Sequence, residues 1–243
     1  MKICFLINSL GKGGAEKIVC DFSEFFVSAG EQVVILTTDN EKEVNFVSDK
    51  VKKDILYSRF SYPSKLIPLS FLIHIFKFLN YIKREKIETT ISFLTRSNLL
   101  NIIAGFFSKR KVYIYERSIL SKIYDNKNIL KRIIFKTIIF LYGRASKIFV
   151  LSEFAKKDLI INGIDSTKIY VIPNPVKVLK SKSYLLDRNI DGKSIISIST
   201  CSRLIKSKNV DFIINVIDSL NKQPNSMFKF TLNIIGDGDE YYN

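Results

Sequence analysis

Short runs of β-branched and aromatic residues recur along the first 175 positions, and between them apolar residues fall at helical spacing. The runs at 2–8, 32–38, 89–94, 111–116, 147–151 and 169–172 predict strands. In residues 15–29, Ala15, Ile18, Val19, Phe22, Phe25, Phe26 and Ala29 recur with a helical period, and Gly30 stops the helix. Residues 66–86, 98–108, 129–142 and 153–162 predict further helices, the last with Ser152 as its N-cap. Strands alternating with helices specify an α/β chain whose parallel, doubly wound sheet is Rossmann-like.

Pro173-Asn174-Pro175 breaks the alternation, because two prolines around an Asn continue neither a helix nor a central strand. The polar, basic stretch that follows has no period and predicts a linker. A strand at 194–199, a helix at 209–220 and a strand at 229–235 then restart the α/β pattern. The expected organisation is a first domain over 1–175, a linker over 176–193, and an incomplete second Rossmann-like domain over 194–243 that stops early.

Composition narrows the class. At 243 residues, 47% of them apolar and 25% charged, the chain reads as one or two soluble α/β domains. No window reaches 18 uninterrupted apolar residues, so no transmembrane helix is expected. The opening segment lacks a signal-peptide cleavage site and reads as a first strand. Cys4, Cys20 and Cys201 have no metal-type spacing, and Cys4 and Cys20 sit on apolar faces as buried thiols. A cytoplasmic protein is expected.

The net charge of +15 is unevenly placed. Residues 51–100 carry nine Lys and Arg against three acids, residues 101–150 carry eleven against two, and the remainder is neutral. A positive segment in an otherwise neutral chain points to an anionic surface or substrate. No nucleic-acid recognition motif accompanies it.

Two strand-to-helix turns carry candidate chemistry. Leu10-Gly11-Lys12-Gly13-Gly14-Ala15-Glu16 follows a strand and opens a helix, where glycines allow close backbone approach and the helix start offers free amides. Glu16 stands where the dinucleotide fingerprint requires glycine, which disfavours a nicotinamide or flavin site. At the second turn Arg203 and Lys208 flank a loop where two cations can grip a diphosphate, whereas Lys206 reads as a solvated neighbour.

Gly13-Gly14-Ala15-Glu16-Lys17, Ile91-Ser92-Phe93-Leu94, Ile172-Pro173-Asn174-Pro175-Val176, Arg203-Leu204 with Lys208-Asn209, and Ile235-Gly236-Asp237-Gly238 together resemble the successive motifs of the group 1 (family four) retaining glycosyltransferases of GT-B fold. The likeness is greatest to bacterial enzymes building O-antigen, capsule or other lipid-linked glycan precursors. The resemblance implies that Gly13 and Gly14 face the donor diphosphate and the sugar acceptor, and that Arg203 and Lys208 hold the departing nucleotide diphosphate. It implies a nucleotide-sugar donor and no metal or other cofactor. Asn174 is implied to be structural. Such enzymes carry a pair of glutamates further along the second domain, beyond these residues. Some also carry a His where this chain has Arg117, which leaves Glu116 and Arg117 as catalytic candidates by position. The sole histidine, His74, lies in an apolar helix and reads as a packing or surface residue rather than a catalyst.

With that resemblance, the basic segment acquires a meaning. Residues 66–86 and 129–144 mix large apolar side chains with Lys and Arg, as stretches lying in a membrane interface do. Lys131, Arg132 and Lys136 are the expected membrane-facing cations, joined by Phe71, Phe76 and Phe78 if these point outward. The alternative is that these apolar faces simply cover the sheet. The expected function is hexosyl transfer from a nucleotide-diphosphate sugar to a lipid-linked glycan acceptor in surface-polysaccharide (lipopolysaccharide) synthesis. The enzyme would be peripheral on the anionic inner face of the plasma membrane. The alternative is a truncated, non-catalytic remnant that binds acceptor lipid or a partner enzyme.

Overall fold

Seven parallel strands in the order β3-β2-β1-β4-β5-β6-β7 form the principal sheet of the computed structural model. It describes residues 1–11, 13–39, 47–56, 67–108, 110–124, 128–175, 189–190, 193–224 and 226–241. The strands are β1 (Lys2–Ile7), β2 (Gln32–Thr37), β3 (Lys52–Ile55), β4 (Thr89–Phe93), β5 (Val112–Glu116), β6 (Lys147–Val150) and β7 (Ile169–Val171). Helices α1 (Gly14–Ser28), α2 (Ile67–Arg84), α3 (Thr95–Ser108), α4 (Leu120–Ile123), α5 (Ile129–Tyr142) and α6 (Glu153–Ile161) connect them.

The continuous apolar run of β1 follows from its central place, since a parallel strand covered on both faces has no wet side. Ile3 to Ile7 are at most 1% exposed. Successive side chains leave opposite faces. Ile3, Phe5 and Ile7 pack with Ile18 and Val19 of α1, while Cys4 and Leu6 pack with Ile75, Phe78 and Ile82 of α2. A third cluster joins β5, β6 and β7 to α5 and α6 through Ile114, Ile148, Ile138 and Leu159.

Local signals end most elements where the sequence suggests. Gly30, at φ +85°, closes α1 with Gly30 N donating to the Val27 carbonyl and Glu31 N to Phe26. Ser152 Oγ accepts from Ala155 N at 3.2 Å and starts α6. Asn128 does the same for α5 through Leu130 N at 2.9 Å.

Three expectations are corrected. β3, with the sequence Lys-Lys-Asp-Ile, has no alternating pattern because it is an exposed edge strand, protected by charge rather than by packing. Helix α3 begins at Thr95 and not Asn98, its first turn being polar and its face buried through Ser97, Asn98 and Asn101. Of the phenylalanines offered as outward-facing in α2, only Phe76 is exposed, at 68%. Phe78 is fully buried, and Phe71 packs against the α2 cluster. His74 is buried in α2, as a packing residue would be.

The chain divides into two compact units, Met1–Lys177 and Val178–Asn243. The second holds β8 (Asn189–Ile190), β9 (Lys193–Cys201), α7 (Val210–Asn221) and β10 (Phe228–Ile235). Strands β9 and β10 pair in parallel from Ser194–Phe228 to Cys201–Ile235, as in a βαβ opening, and β8 pairs antiparallel with β9. Most of the expected linker, residues 176–188, lies outside the described residues, as does Lys12 of the first glycine turn. Asn189 and Ile190 belong to the second sheet. Cys4 and Cys20 are buried, and Cys201 is exposed. Among the described residues no helix is long and apolar enough to cross a membrane.

Candidate functional site

Strand order reverses between β1 and β4, so the loops leaving their carboxyl ends diverge and open a crevice, the usual ligand position in such sheets. Three loops meet at this edge. One runs from β1 into α1, one from β4 into α3, and one leaves β5 at Glu116.

Gly13 is the N-cap of α1, extended at φ −158° and ψ 161°, with no side chain capping the helix start. The Glu16 carboxylate folds back over Gly13, where a β-carbon would collide with Glu16 Oε2. Gly14 faces the Arg117 guanidinium, whose Nη2 would lie 3.6 Å from a β-carbon there. Arg117 Nη1 donates to Asn174 Oδ1 at 3.2 Å, and the Tyr115 hydroxyl donates to the Ile172 carbonyl. Thus Gly14, Arg117 and Asn174, far apart in sequence, share one corner. Half-burial pulls the Arg117 guanidinium below its usual range, countered by Tyr115 and the charges of Glu16 and Glu116. Burial raises the Tyr115 hydroxyl, with Arg117 opposing.

Glu116 faces the other way. It is 1% exposed, and both carboxylate oxygens are occupied. Oε1 accepts from the backbone amides of Arg117 at 2.8 Å and Ser118 at 2.9 Å. Oε2 accepts from Tyr142 Oη at 2.6 Å, Thr95 Oγ1 at 3.1 Å and Asn98 Nδ2 at 3.5 Å. The catalytic candidacy of Glu116 is therefore corrected, because a carboxylate enclosed by five donors has no face left for substrate. It fixes the loop that carries Arg117. Burial, and after it the Glu116 charge, raises the Tyr142 hydroxyl well above its usual range, so it remains a donor.

Sequence reasoning missed this network. Asn98 Oδ1 accepts from Ser92 Oγ at 2.8 Å, Asn101 Nδ2 donates to that hydroxyl at 3.1 Å, and Ser97 Oγ donates to Asn8 Oδ1 at 2.7 Å. The available signal was three polar residues, Ser97, Asn98 and Asn101, on one face of an otherwise apolar helix. Leu94, just before α3, holds φ +73°, a left-handed conformation costly for a bulky residue and frequent near functional sites.

In the second unit Arg203 and Lys208 are exposed, and neither makes a side-chain ion pair or hydrogen bond among the described residues. Lys206 is equally exposed, so exposure alone does not set it apart from Lys208. The loop itself is fixed. Ser202 N donates to the Ile235 carbonyl at 3.1 Å, Leu204 N to Asp237 at 2.9 Å, and Glu240 N to Leu204 at 3.0 Å. Gly236 and Gly238 permit this approach, since β-carbons there would collide with the Ser202 and Leu204 carbonyls. Lys131, Arg132 and Lys136 are exposed on α5.

Residues 12–178 match the sequence model of glycosyltransferase family 4, and the chain belongs to that family. Its fold is that of the GT-B glycosyltransferases. The lipopolysaccharide outer core galactosyltransferase WaaB, in its apo form, superposes with a TM-score of 0.66 at 20% identity, over 99% of this chain and 62% of that one. Anabaena HepE in complex with UDP gives 0.65 at 17% identity, over 98% and 61%. Sucrose-phosphate synthase from Thermosynechococcus elongatus gives 0.68 at 14% identity, over 100% and 64%. The chain thus spans less than two thirds of the length of these structures. A search of curated protein sequences returns no match.

Proposed function

We propose that the protein transfers a sugar from a nucleotide-diphosphate donor to a lipid-linked glycan acceptor in surface-polysaccharide synthesis, with retention of anomeric configuration. The observation that carries this reading is the pair of cations, Arg203 and Lys208, unpartnered among the described residues and set on a loop fixed by backbone bonds to the Gly236-Asp237-Gly238 turn. As the sugar–phosphate bond breaks, negative charge accumulates on the departing diphosphate. Fixed cations stabilise that charge without reorganising at the moment of reaction. In this reading Arg203 and Lys208 supply the positive charge, so no metal or other cofactor is invoked.

The first unit serves the acceptor. Its crevice places the carboxylate of Glu16 and the guanidinium of Arg117 around Gly13 and Gly14. Such a corner suits a sugar, whose hydroxyls donate to the acid and accept from the cation. Gly13 and Gly14 let it approach the backbone, and the uncapped amides of α1 remain for a donor phosphate. The family relationship supports sugar transfer, and WaaB acts on lipopolysaccharide. The reading puts the enzyme on the cytoplasmic side of the membrane that holds its acceptor.

Steady-state turnover of the full-length protein over a panel of nucleotide sugars tests it. Arg203→Ala or Lys208→Ala is expected to lower kcat by about 10²–10³, close to 3–4 kcal/mol. Lys206→Ala should be near wild type. Unchanged turnover in either of the first two variants overturns the diphosphate role.

A further inference from the structure

Every part of Arg117 but one is already held. Its backbone amide and that of Ser118 donate to Glu116 Oε1 at 2.8 Å and 2.9 Å. The guanidinium lies over the Tyr115 ring, with Cζ 6.0 Å from the centroid. Nη1 donates to Asn174 Oδ1 at 3.2 Å. Nη2 is left facing Gly14, 3.6 Å from where a β-carbon would stand, and makes no hydrogen bond or ion pair among the described residues. A half-buried cation with no carboxylate partner is costly, so a substrate oxygen is the natural partner for Nη2.

The segment that carries Asn174 is tied down on the same side. Ile172 N donates to the Val150 carbonyl at 2.8 Å, and the Tyr115 hydroxyl donates to the Ile172 carbonyl. Pro173 and Pro175 fix φ on either side of Asn174. Tyr115 and Arg117, two positions apart, thus hold Ile172 and Asn174, also two positions apart. As a stabilising contact the second tie contributes little, because Asn174 is exposed and the bond is open to water. Its effect falls on direction. It fixes the rotation of the guanidinium plane, and with it where Nη2 points.

We propose that Asn174 is a positioning residue, whose side-chain oxygen turns the Arg117 guanidinium so that Nη2 stands over Gly14 to receive an oxygen of the acceptor. The chain leaving β7 is then part of the acceptor corner and not only a connection. This rests on the acceptor role proposed above for that corner. Arginine suits the task because its planar fork serves two partners at once, whereas lysine offers one mobile point charge.

Two measurements on the full-length protein test this. With isotope-labelled arginine, the Nη1 and Nη2 resonances of Arg117 should be distinct, because the bond to Asn174 slows rotation about Nε–Cζ. Asn174→Ala should merge them. With lipid-linked glycan extracted from the source cells as acceptor, Asn174→Ala should raise the acceptor KM roughly fivefold, the factor for one lost hydrogen bond, and change kcat by less than about twofold. Its thermal unfolding should match wild type, since the side chain is exposed. Asn174→Asp keeps the oxygen that accepts from Nη1 and should restore both readouts, whereas Arg117→Lys should raise the acceptor KM at least as far as Asn174→Ala. Merged resonances in the wild type, an unchanged acceptor KM in Asn174→Ala, or an Asn174→Asp variant that behaves as the alanine does would overturn the proposal. Distinct resonances in a wild type that transfers no sugar would support the hold on Arg117 and overturn the function proposed above, so the two failures are told apart.

Discussion

The two units use the same opening, a strand, a tight turn, a helix and a parallel strand, yet they differ in what covers the sheet. In Met1–Lys177 three apolar clusters pack helices against the sheet, and β1 has no wet residue between Ile3 and Ile7. In Val178–Asn243 the described residues bury only Leu204 and Ile217 among hydrophobics. Phe212, Met227, Phe228 and Ile235 are open, and the pairing of β9 with β10 rests chiefly on backbone bonds. A βαβ opening therefore specifies a turn and a register without supplying a core. The core comes from helices on both faces of the sheet.

The sharpest way to break this comparison is to make one substitution in both units. Phe5→Ala, in the centre of the first, should cost about 3–5 kcal/mol of unfolding free energy in urea titration. Phe212→Ala, 61% exposed on α7, should move the same measurement by less than about 0.5 kcal/mol. Equal effects would mean that the second unit has a core after all. Next comes Gly236→Ala, whose β-carbon meets the Ser202 carbonyl. A shift of roughly 1–3 kcal/mol is expected, confined to hydrogen-exchange protection of β9 and β10. Loss of protection in β1 would contradict that confinement.

Tyr142→Phe probes the polar interior of the first unit. It removes the 2.6 Å donor from a buried carboxylate and should cost about 1.5–3 kcal/mol, read by thermal unfolding. The smallest effect concerns pH. Lys52, then Lys2, lower the Glu85 carboxyl from an ordinary 4.5 to about 2. A depressed folded value means that this contribution is complete above pH 4.5 and is lost as pH falls from 4.5 toward 2. Glu85→Gln should flatten the acid limb of stability in that window, with its small cost present at neutral pH and gone near pH 2.

These differences also explain what the sequence made legible. Elements with an apolar face against the sheet, such as α1 and α6, announce themselves by period, and Gly30 and Ser152 mark their ends. The parallel strands with buried apolar runs are equally plain. Edge strand β3 carries no such mark, because its neighbour on one side is water. The corner formed by Gly14, Arg117 and Asn174 was legible as three separate motifs, but their meeting depends on strand order, which no local pattern encodes. The adjacent residues Glu116 and Arg117 looked alike by position. Burial separated them, turning the acid inward to Tyr142 and leaving the cation at the crevice.

The inward-turned acid has a mechanical consequence. One carboxylate oxygen grips the loop of Arg117, and the other grips α3 through Thr95 and α5 through Tyr142. Glu116 is thus a rivet through three plates, and the loop cannot slide without shearing hydrogen bonds in a dry interior. Helix α5 spans roughly 20 Å at about 1.5 Å per residue, with solvated Ile129 at one end and the riveted Tyr142 at the other. A torque on its free end arrives at the rivet as movement of a whole rod. The crevice and the outer surface of this unit are two ends of one stiff beam.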